Sequence, residues 1–361
     1  PGLAPDYVYA GDINNSGLIN SESTQGTVAG IRFANRIGFQ GTLTNEEGGV
    51  ISGAQNGLYF GNDADHTGGV VNNAGTISSG SRELNIDGTG LVVNNLASGE
   101  ILGTGSQRSG TVYADGTADD FVFNNDGTLD AGIGNEGSGF GAEIGGAEDG
   151  ANTFTLTNTG TIQGRGNASA ATNAAGDGVR IGNVGNVGVA ELTAVNSGLI
   201  ASEGANGTVA GVRFVNGISF AGTFDNSGTI TGVQNGVYFG NPVEGEGADH
   251  SEGVFNNLEG GVISSDSRAF NIDGIGLTVN NAGSILGTGN QRNGTVYADS
   301  TAQGFELNNL EDGVIDAGQG NQGAGFSVEL SEEGNTFAIN NAGTIQGRGQ
   351  AGAGAAAAGD G

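Results

Sequence analysis

The 361 residues contain no cysteine, no methionine, no tryptophan and no lysine, and only three prolines. Without cysteine there are no disulfides and no thiolate metal sites. Without lysine there is no Lys–Asn or Lys–Asp isopeptide cross-link. Basic residues are scarce as well: ten arginines face 39 acidic residues, for a formal charge of −29. Nothing here would neutralise phosphates, which excludes nucleic acid and anionic membrane surfaces as partners. No apolar run approaches the roughly 18 residues that cross a bilayer, so direct membrane insertion is not expected. Hydrophobic residues make up 35% of the chain, little for a compact globule but enough for a thin, elongated core.

What is abundant is glycine, at 75 positions and without a collagen triplet. Some of it belongs to a recurring stretch typified by VNNAGTI at Val71–Ile77. The second asparagine sets the register: Asn15, Asn45, Asn73, Asn95, Asn125, Asn158, Asn196, Asn226, Asn257, Asn281, Asn309 and Asn341. Successive spacings are 30, 28, 22, 30, 33, 38, 30, 31, 24, 28 and 32 residues. A period of roughly 30 residues in so glycine-rich a chain is the mark of a solenoid.

Each unit closes on an apolar residue past the corner glycine: Ile19, Ile51, Ile77, Ile101, Leu129, Ile162, Ile200, Ile230, Ile263, Ile285, Ile315 and Ile345. Two positions before the asparagine stands another apolar residue, such as Val93, Phe123 or Leu307. The period is two, which predicts strands. Parallel stacking would set each isoleucine about 4.8 Å from the next, in a dry ladder. A buried amide needs both its oxygen and its NH₂ satisfied, and a stack of asparagines lets each donate to one neighbour and accept from the other. Asparagine and glycine both tolerate the left-handed conformation, which a tight corner is expected to use. Further strands bounded by glycine follow, as in GIRF at Gly30–Phe33 and GLYFG at Gly57–Gly61. Two strands per coil, with room for a short third, give an all-β, right-handed parallel β-solenoid (β-helix) of about twelve coils, roughly 58 Å long.

A longer repeat overlies the short one. GTVAGIRF at Gly26–Phe33 returns as GTVAGVRF at Gly207–Phe214, and GAQNGLYFGN at Gly53–Asn62 returns as GVQNGVYFGN at Gly232–Asn241. The chain therefore divides into two six-coil blocks, 1–181 and 182–361, continuous with each other. It begins at a proline and stops within a coil, where AAAAGDG matches AAGDG at Ala174–Gly178. The expectation is a segment of a longer array, or a protomer that stacks end to end, with Ala/Gly-rich loops at 168–176 and 351–359 extruded at the block joints.

VNNAGTI, LTNTGTI at Leu156–Ile162 and FDNSGTI at Phe224–Ile230 resemble the repeats in passenger regions of large autotransporter-like surface proteins and adhesins of Gram-negative bacteria. The resemblance implies a secreted β-solenoid displayed on, or shed from, the bacterial cell surface.

Several residue sets invite chemistry. Acids shared by both blocks are Asp87/Asp273, Asp115/Asp299, Asp130/Asp316 and Glu143/Glu329, whereas Asp119 and Asp120 become Gln303 and Gly304. Paired carboxylates serve glycoside cleavage, but duplication along a rod fits structure better than one cleft. Each block holds one histidine, His66 or His250, each after an aspartate and read as an exposed loop residue. Arg32/Arg213, Arg82/Arg268, Arg108/Arg292 and Arg165/Arg348 recur in register, which points to bidentate pairs with carboxylates; Arg36 and Arg180 have no arginine counterpart in the other block. No catalytic residue and no cofactor is assigned. Calcium is the one cation the acidic surface invites, although neither an EF-hand nor a calcium β-roll nonapeptide occurs. Corner threonines (Thr76, Thr128, Thr161, Thr229, Thr344) alternate with other residues, so no ice-binding row forms. The expected role is a stiff, non-enzymatic rod of a surface fibre, adhesin stalk or matrix filament that self-associates end to end or laterally. The alternative is a carbohydrate-binding or carbohydrate-cleaving β-helix that meets glycan through exposed Tyr59/Tyr238 and Tyr113/Tyr297.

Overall fold

The computed structural model describes residues 7–24, 28–104, 110–132, 136–145, 151–166, 176–182, 187–204, 208–243, 245, 248–288, 294–318, 323–331 and 335–348. Both Ala/Gly-rich loops fall largely outside them, as do Arg108 and Arg292. The chain folds as a parallel β-solenoid with three long sheets of twelve, thirteen and eleven strands, plus one two-stranded pair.

VNNAGTI spans two of those sheets. Val70–Asn73 lies in the twelve-stranded sheet, the chain turns at Ala74 and Gly75, and Thr76–Ser79 enters the thirteen-stranded sheet. All twelve motif asparagines occupy successive strands of the first sheet, paired in register from Asn15↔Asn45 to Asn309↔Asn341. The closing residues do the same in the second, from Ile19↔Ile51 to Ile315↔Ile345. From Ile51 to Ile315 every member of that row is fully buried. The sheets run unbroken past residue 181, for example through Ile181↔Phe214 and Asn158↔Asn196.

The glycine-bounded strands form the third sheet. Its first positions explain the glycines. A Cβ on Gly57 would stand 2.8 Å from Cγ2 of Ile77, and one on Gly178 would stand 2.7 Å from Cγ2 of Ile200. The β-branched ladder fills the space that a side chain would need. The corner glycine works by a related logic, which differs from the left-handed turn expected above. Gly75 has an ordinary φ, and a Cβ there would overlap the carbonyl oxygen of Gly49 in the corner below. None of the ladder asparagines is left-handed either. Only longer corners use that conformation, at Gly48 (φ 79°) and Gly260 (φ 82°). Stacked corners approach so closely that backbone packing, not dihedral choice, selects glycine.

The core between the sheets is layered. Leu58, Phe60, Leu84, Ile86, Val112 and Ala114 of the third sheet are fully buried and meet the isoleucine row and the apolar row beside the asparagines. Aromatic rings gather in each block: Phe33, Phe39 and Phe60 in the first, and Phe214, Phe220, Phe239, Phe255 and Phe270 in the second.

Candidate functional site

Two constructions stand out along the rod: an amide ladder at the corner, and a stacked acid–tyrosine–arginine face on the third sheet.

In the ladder, Nδ2 of each motif asparagine donates to Oδ1 of the next, an unbroken series of eleven hydrogen bonds of 2.7–2.8 Å from Asn15 to Asn341. The same Nδ2 also reaches backbone carbonyls of the corner. Asn45, for instance, donates to Gly49 O and Thr76 O, both at 3.2 Å. Carbonyls accept only from the NH₂ end, so the corner fixes which way every amide points. The polarity is therefore uniform along the stack. A second amide ladder, unread in the sequence, uses the first asparagine of the NN pair on the outer face. Here Asn94 donates to Asn72 and Asn124 to Asn94; in the other block Asn256, Asn280, Asn308 and Asn340 each donate back one coil, beginning at Asp225. Its direction is opposite to that of the buried ladder. The signal for it was the doubled asparagine itself.

The third sheet carries the shared acids. At the strand ends, Asp87 N donates to Phe60 O, Asp115 N to Ile86 O and Glu143 N to Ala114 O, which stacks Asp87, Asp115 and Glu143 on consecutive strands. Asp299 N to Ile272 O and Glu329 N to Ala298 O repeat the stack as Asp273, Asp299 and Glu329. Two residues before the aspartates, on the same face, stand Asn85 and Tyr113, with Tyr59 in register on the preceding strand; the second block repeats this with Asn271, Tyr297 and Tyr238. These tyrosines are buried, which corrects the expectation that they are exposed. Guanidinium groups lie over the rings: Arg82 is 3.9 Å from the centroid of Tyr113 and Arg268 is 4.3 Å from that of Tyr297, with Arg32 and Arg213 over Tyr59 and Tyr238. A cation over an aromatic face is held by the ring quadrupole. Tyr297 donates to Glu329 Oε2. Burial and the neighbouring acids raise all four phenol pKa values, that of Tyr59 up to about 12.

The remaining acids have structural partners. Asp130 and Asp316 each hold a bidentate arginine, Arg165 at 2.7 and 2.8 Å and Arg348 at 2.7 Å twice, which realises the expected bidentate pairs at these two positions. Asp119 accepts from Thr153 N, and Gln303 accepts from Thr336 N in the same place. Asp120 is left-handed (φ 49°), as is Gly304 (φ 61°), so this non-recurring pair is also a matter of backbone. Two buried acids escaped the sequence reading. Glu83 stands in the column that most other coils fill with glycine, bonded to Ser79 at 3.1 Å, and burial drives its carboxyl well above the usual range. Asp177 is fully buried 3.6 Å from Arg213, with its pKa raised by that burial. An acid in a glycine column was the available signal for the first.

The histidines are corrected too. His66 and His250 are fully buried, edge-on to Phe60 and Phe239, and their Nδ1 atoms accept from Phe39 N at 3.0 Å and Phe220 N at 3.1 Å. That bond fixes the neutral tautomer with the proton on Nε2. Burial lowers both pKa values, that of His250 to about 4. A base depressed in the folded state binds fewer protons there than in the unfolded chain, so its stabilisation is complete above about pH 6.5 and is lost as pH falls towards 4. For His250 the loss across that window is about 3 kcal/mol. The His250 imidazole resonances of the folded protein should stay unshifted on acidification from pH 7 to about 5, where exposed histidines titrate; ordinary titration would show that the ring reaches solvent.

Comparison with protein-family models, with curated proteins and with solved structures returned no match. Among the described residues, no three His, Asp or Glu side chains converge to hold a metal ion, and no helix is long and apolar enough to cross a membrane.

Proposed function

We propose that this chain is a stiff, non-enzymatic segment of an extracellular fibre, adhesin stalk or matrix filament of the autotransporter-like kind, carried on a bacterial cell surface. One observation carries the reading: the eleven-bond amide ladder and the isoleucine row beside it run through both blocks without a break. Coils along the described residues bond to their neighbours through three parallel sheets, so bending the rod means straining ladders at several corners at once. Such a construction suits a spacer that transmits force or sets distance. The carboxylates that would serve catalysis are committed to arginines, to backbone amides or to burial. The acidic surface repels parallel copies at low salt, and self-association, end to end or lateral, is expected to strengthen as salt screens it.

The carbohydrate reading keeps one foothold. An open groove of about 620 Å³ lies along the outer face of the second sheet, lined by Asn20, Glu22, Ser52, Ser78 and Thr104 among others. It offers hydroxyls and a carboxylate for glycan but no aromatic platform.

Negative-stain microscopy of native material tests the leading reading. Unbranched rods with a repeat of about 29 Å, six strand spacings, are expected; discrete compact particles would refute it. A glycan panel with turnover detection forms the second arm, in which reproducible cleavage would overturn the non-enzymatic role. The rod needs no cofactor, so its melting temperature is expected to be the same in excess chelator and in calcium.

A further inference from the structure

The stacked acids leave an electrostatic problem that the rod itself must solve. Asp87 and Asp115 sit on adjacent strands at consecutive register positions, on the same face, with backbones one strand spacing apart, about 4.8 Å. Asp87 is only 3% exposed, and its Oδ1 has no hydrogen-bond partner among the described residues. Asp273 beside Asp299 repeats the arrangement at 2% exposure, again with Oδ1 unpartnered. Two ionised carboxylates in contact, one of them out of water, are strongly unfavourable.

The surroundings supply only part of the missing charge, a minor contribution from Arg82 to Asp87 and from Arg268 to Asp273. On the preceding strand, the Tyr59 hydroxyl has one hydrogen for two acceptors, Asp87 and Oδ1 of Asn35 at 3.1 Å. Tyr238 is placed likewise between Asp273 and Oδ1 of Asn216 at 3.2 Å. Arg82 and Arg268, on the same strands as Asp87 and Asp273, are drawn over Tyr113 and Tyr297. Arg32 and Arg213 face Tyr59 and Tyr238. On the following strands, Asp115 Oδ1 accepts from Thr117 N at 2.8 Å and Oγ1 at 2.6 Å, and Asp299 Oδ1 accepts from Thr301 in the same way. One oxygen of each outer acid is thereby tied up and the other is left for its buried partner. Beyond them, Glu143 and Glu329 are engaged by Tyr113 and Tyr297. His66 approaches the Asp87 backbone and is itself neutral.

We propose that Asp87–Asp115 and Asp273–Asp299 are proton-sharing carboxyl pairs, one in each block, that lock the outer face of the third sheet while the proton is bound. The donor is the neutral carboxyl of the buried aspartate and the acceptor is the free oxygen of the ionised one. Above neutral pH the proton leaves to solvent, both carboxylates become charged, and the face loosens. Burial first, and then the charge of the neighbouring acid, push Asp87 and Asp273 up to about 8. An acid raised in the folded state favours folding fully below its unfolded value, about 4, and that favour is lost as pH rises through 8. This dependence is opposite in sign to that of the buried histidines, and the two windows overlap between about pH 4 and 6.5, where the contributions offset each other.

Carboxyl-carbon NMR of the full chain with ¹³C-labelled aspartate gives the direct test. Two carboxyl signals are expected to remain protonated at neutral pH and to titrate near 8, and both should vanish in the Asp87→Asn/Asp273→Asn double variant. That variant keeps the neutral shape, so it should melt with the wild type near pH 5 and several degrees above it at pH 9. Titration of all the aspartates near pH 4 would overturn the proposal, whatever the variant does. So would a double variant that melts below the wild type at pH 9. Calcium added at neutral pH is the third arm: movement of these same signals, with a lower melting temperature in chelator, would assign the pair to a cation instead of a proton.

Discussion

Replacing Asn158 by aspartate is expected to destabilise the rod by about 3–5 kcal/mol, a cost comparable to breaking a buried, paired charge. Asn158 is fully buried, accepts from Asn125 Nδ2 at 2.8 Å and donates to Asn196 Oδ1 at 2.7 Å and Leu199 O at 3.2 Å. Aspartate keeps the first of these bonds and inverts the others, because lone pairs then face the oxygens of Asn196 and Leu199. The carboxylate must stay charged among acceptors or take up a proton, which restores one donor where the amide had two hydrogens. Part of the loss should therefore return on acidification. Asn158→Ala removes the clash as well as the bonds and is expected to cost about 1–3 kcal/mol, the desolvation of the groups left unpaired. Denaturant midpoints rank the two variants. Amide exchange locates the damage, which should spread to the strands ending at Asn125 and Asn196 and fade beyond them, since each coil contacts only its neighbours. Equal losses for the two variants, or exchange unchanged at those strands, would show that the ladder does not hold the corner.

Why the ladder was legible is instructive. VNNAGTI carries its own proof, because only a stack satisfies a buried amide at every turn of the chain, and the same spacing puts an isoleucine beyond each corner. The third sheet was legible as strands but not as a face. Tyr59 and Tyr113 read as surface residues because their alternation points them away from the core, and nothing local says that arginines from neighbouring coils close over them. His66 misleads for a similar reason. It lies in the polar run GNDADHTG, and its burial depends on Phe60 and on the amide of Phe39, 27 residues away. The corner glycine was read correctly as a requirement and wrongly as a dihedral one, since the carbonyl that excludes a Cβ at Gly75 belongs to another coil. Local chemistry identified what each coil repeats, while contacts between coils decide what each repeat is for.

Those inter-coil contacts also predict that the two blocks differ in strength. Phe239→Ala should cost about 3–5 kcal/mol and exceed Phe60→Ala by about 1–3 kcal/mol, the worth of two added aromatic pairs. Phe60 meets Phe33 at 5.2 Å, Phe39 at 5.8 Å and His66 at 5.4 Å. Phe239 has the corresponding three neighbours, with Phe214 at 4.7 Å, and adds Phe270 at 5.9 Å and Phe255 at 6.3 Å, where the first block places Leu84 and Val71. Planar rings held by stacked strands close poorly over a void, so more of the cavity persists in the second block. The void also borders His250, which is 5.1 Å from the Phe239 ring. Water entering there would lessen the burial that lowers its pKa, so in the Phe239→Ala protein the part of the acid-induced loss of stability that comes from His250 should end at a higher pH and be smaller than in the wild type. Two measurements follow, the denaturant midpoints of both variants and the pH at which the His250 resonance moves. Equal midpoints would show that the second block relaxes as freely as the first. An unmoved titration in a destabilised Phe239→Ala protein would show that the cavity stays dry, and that His250 is kept neutral by its bond to Phe220 and not by the ring that covers it.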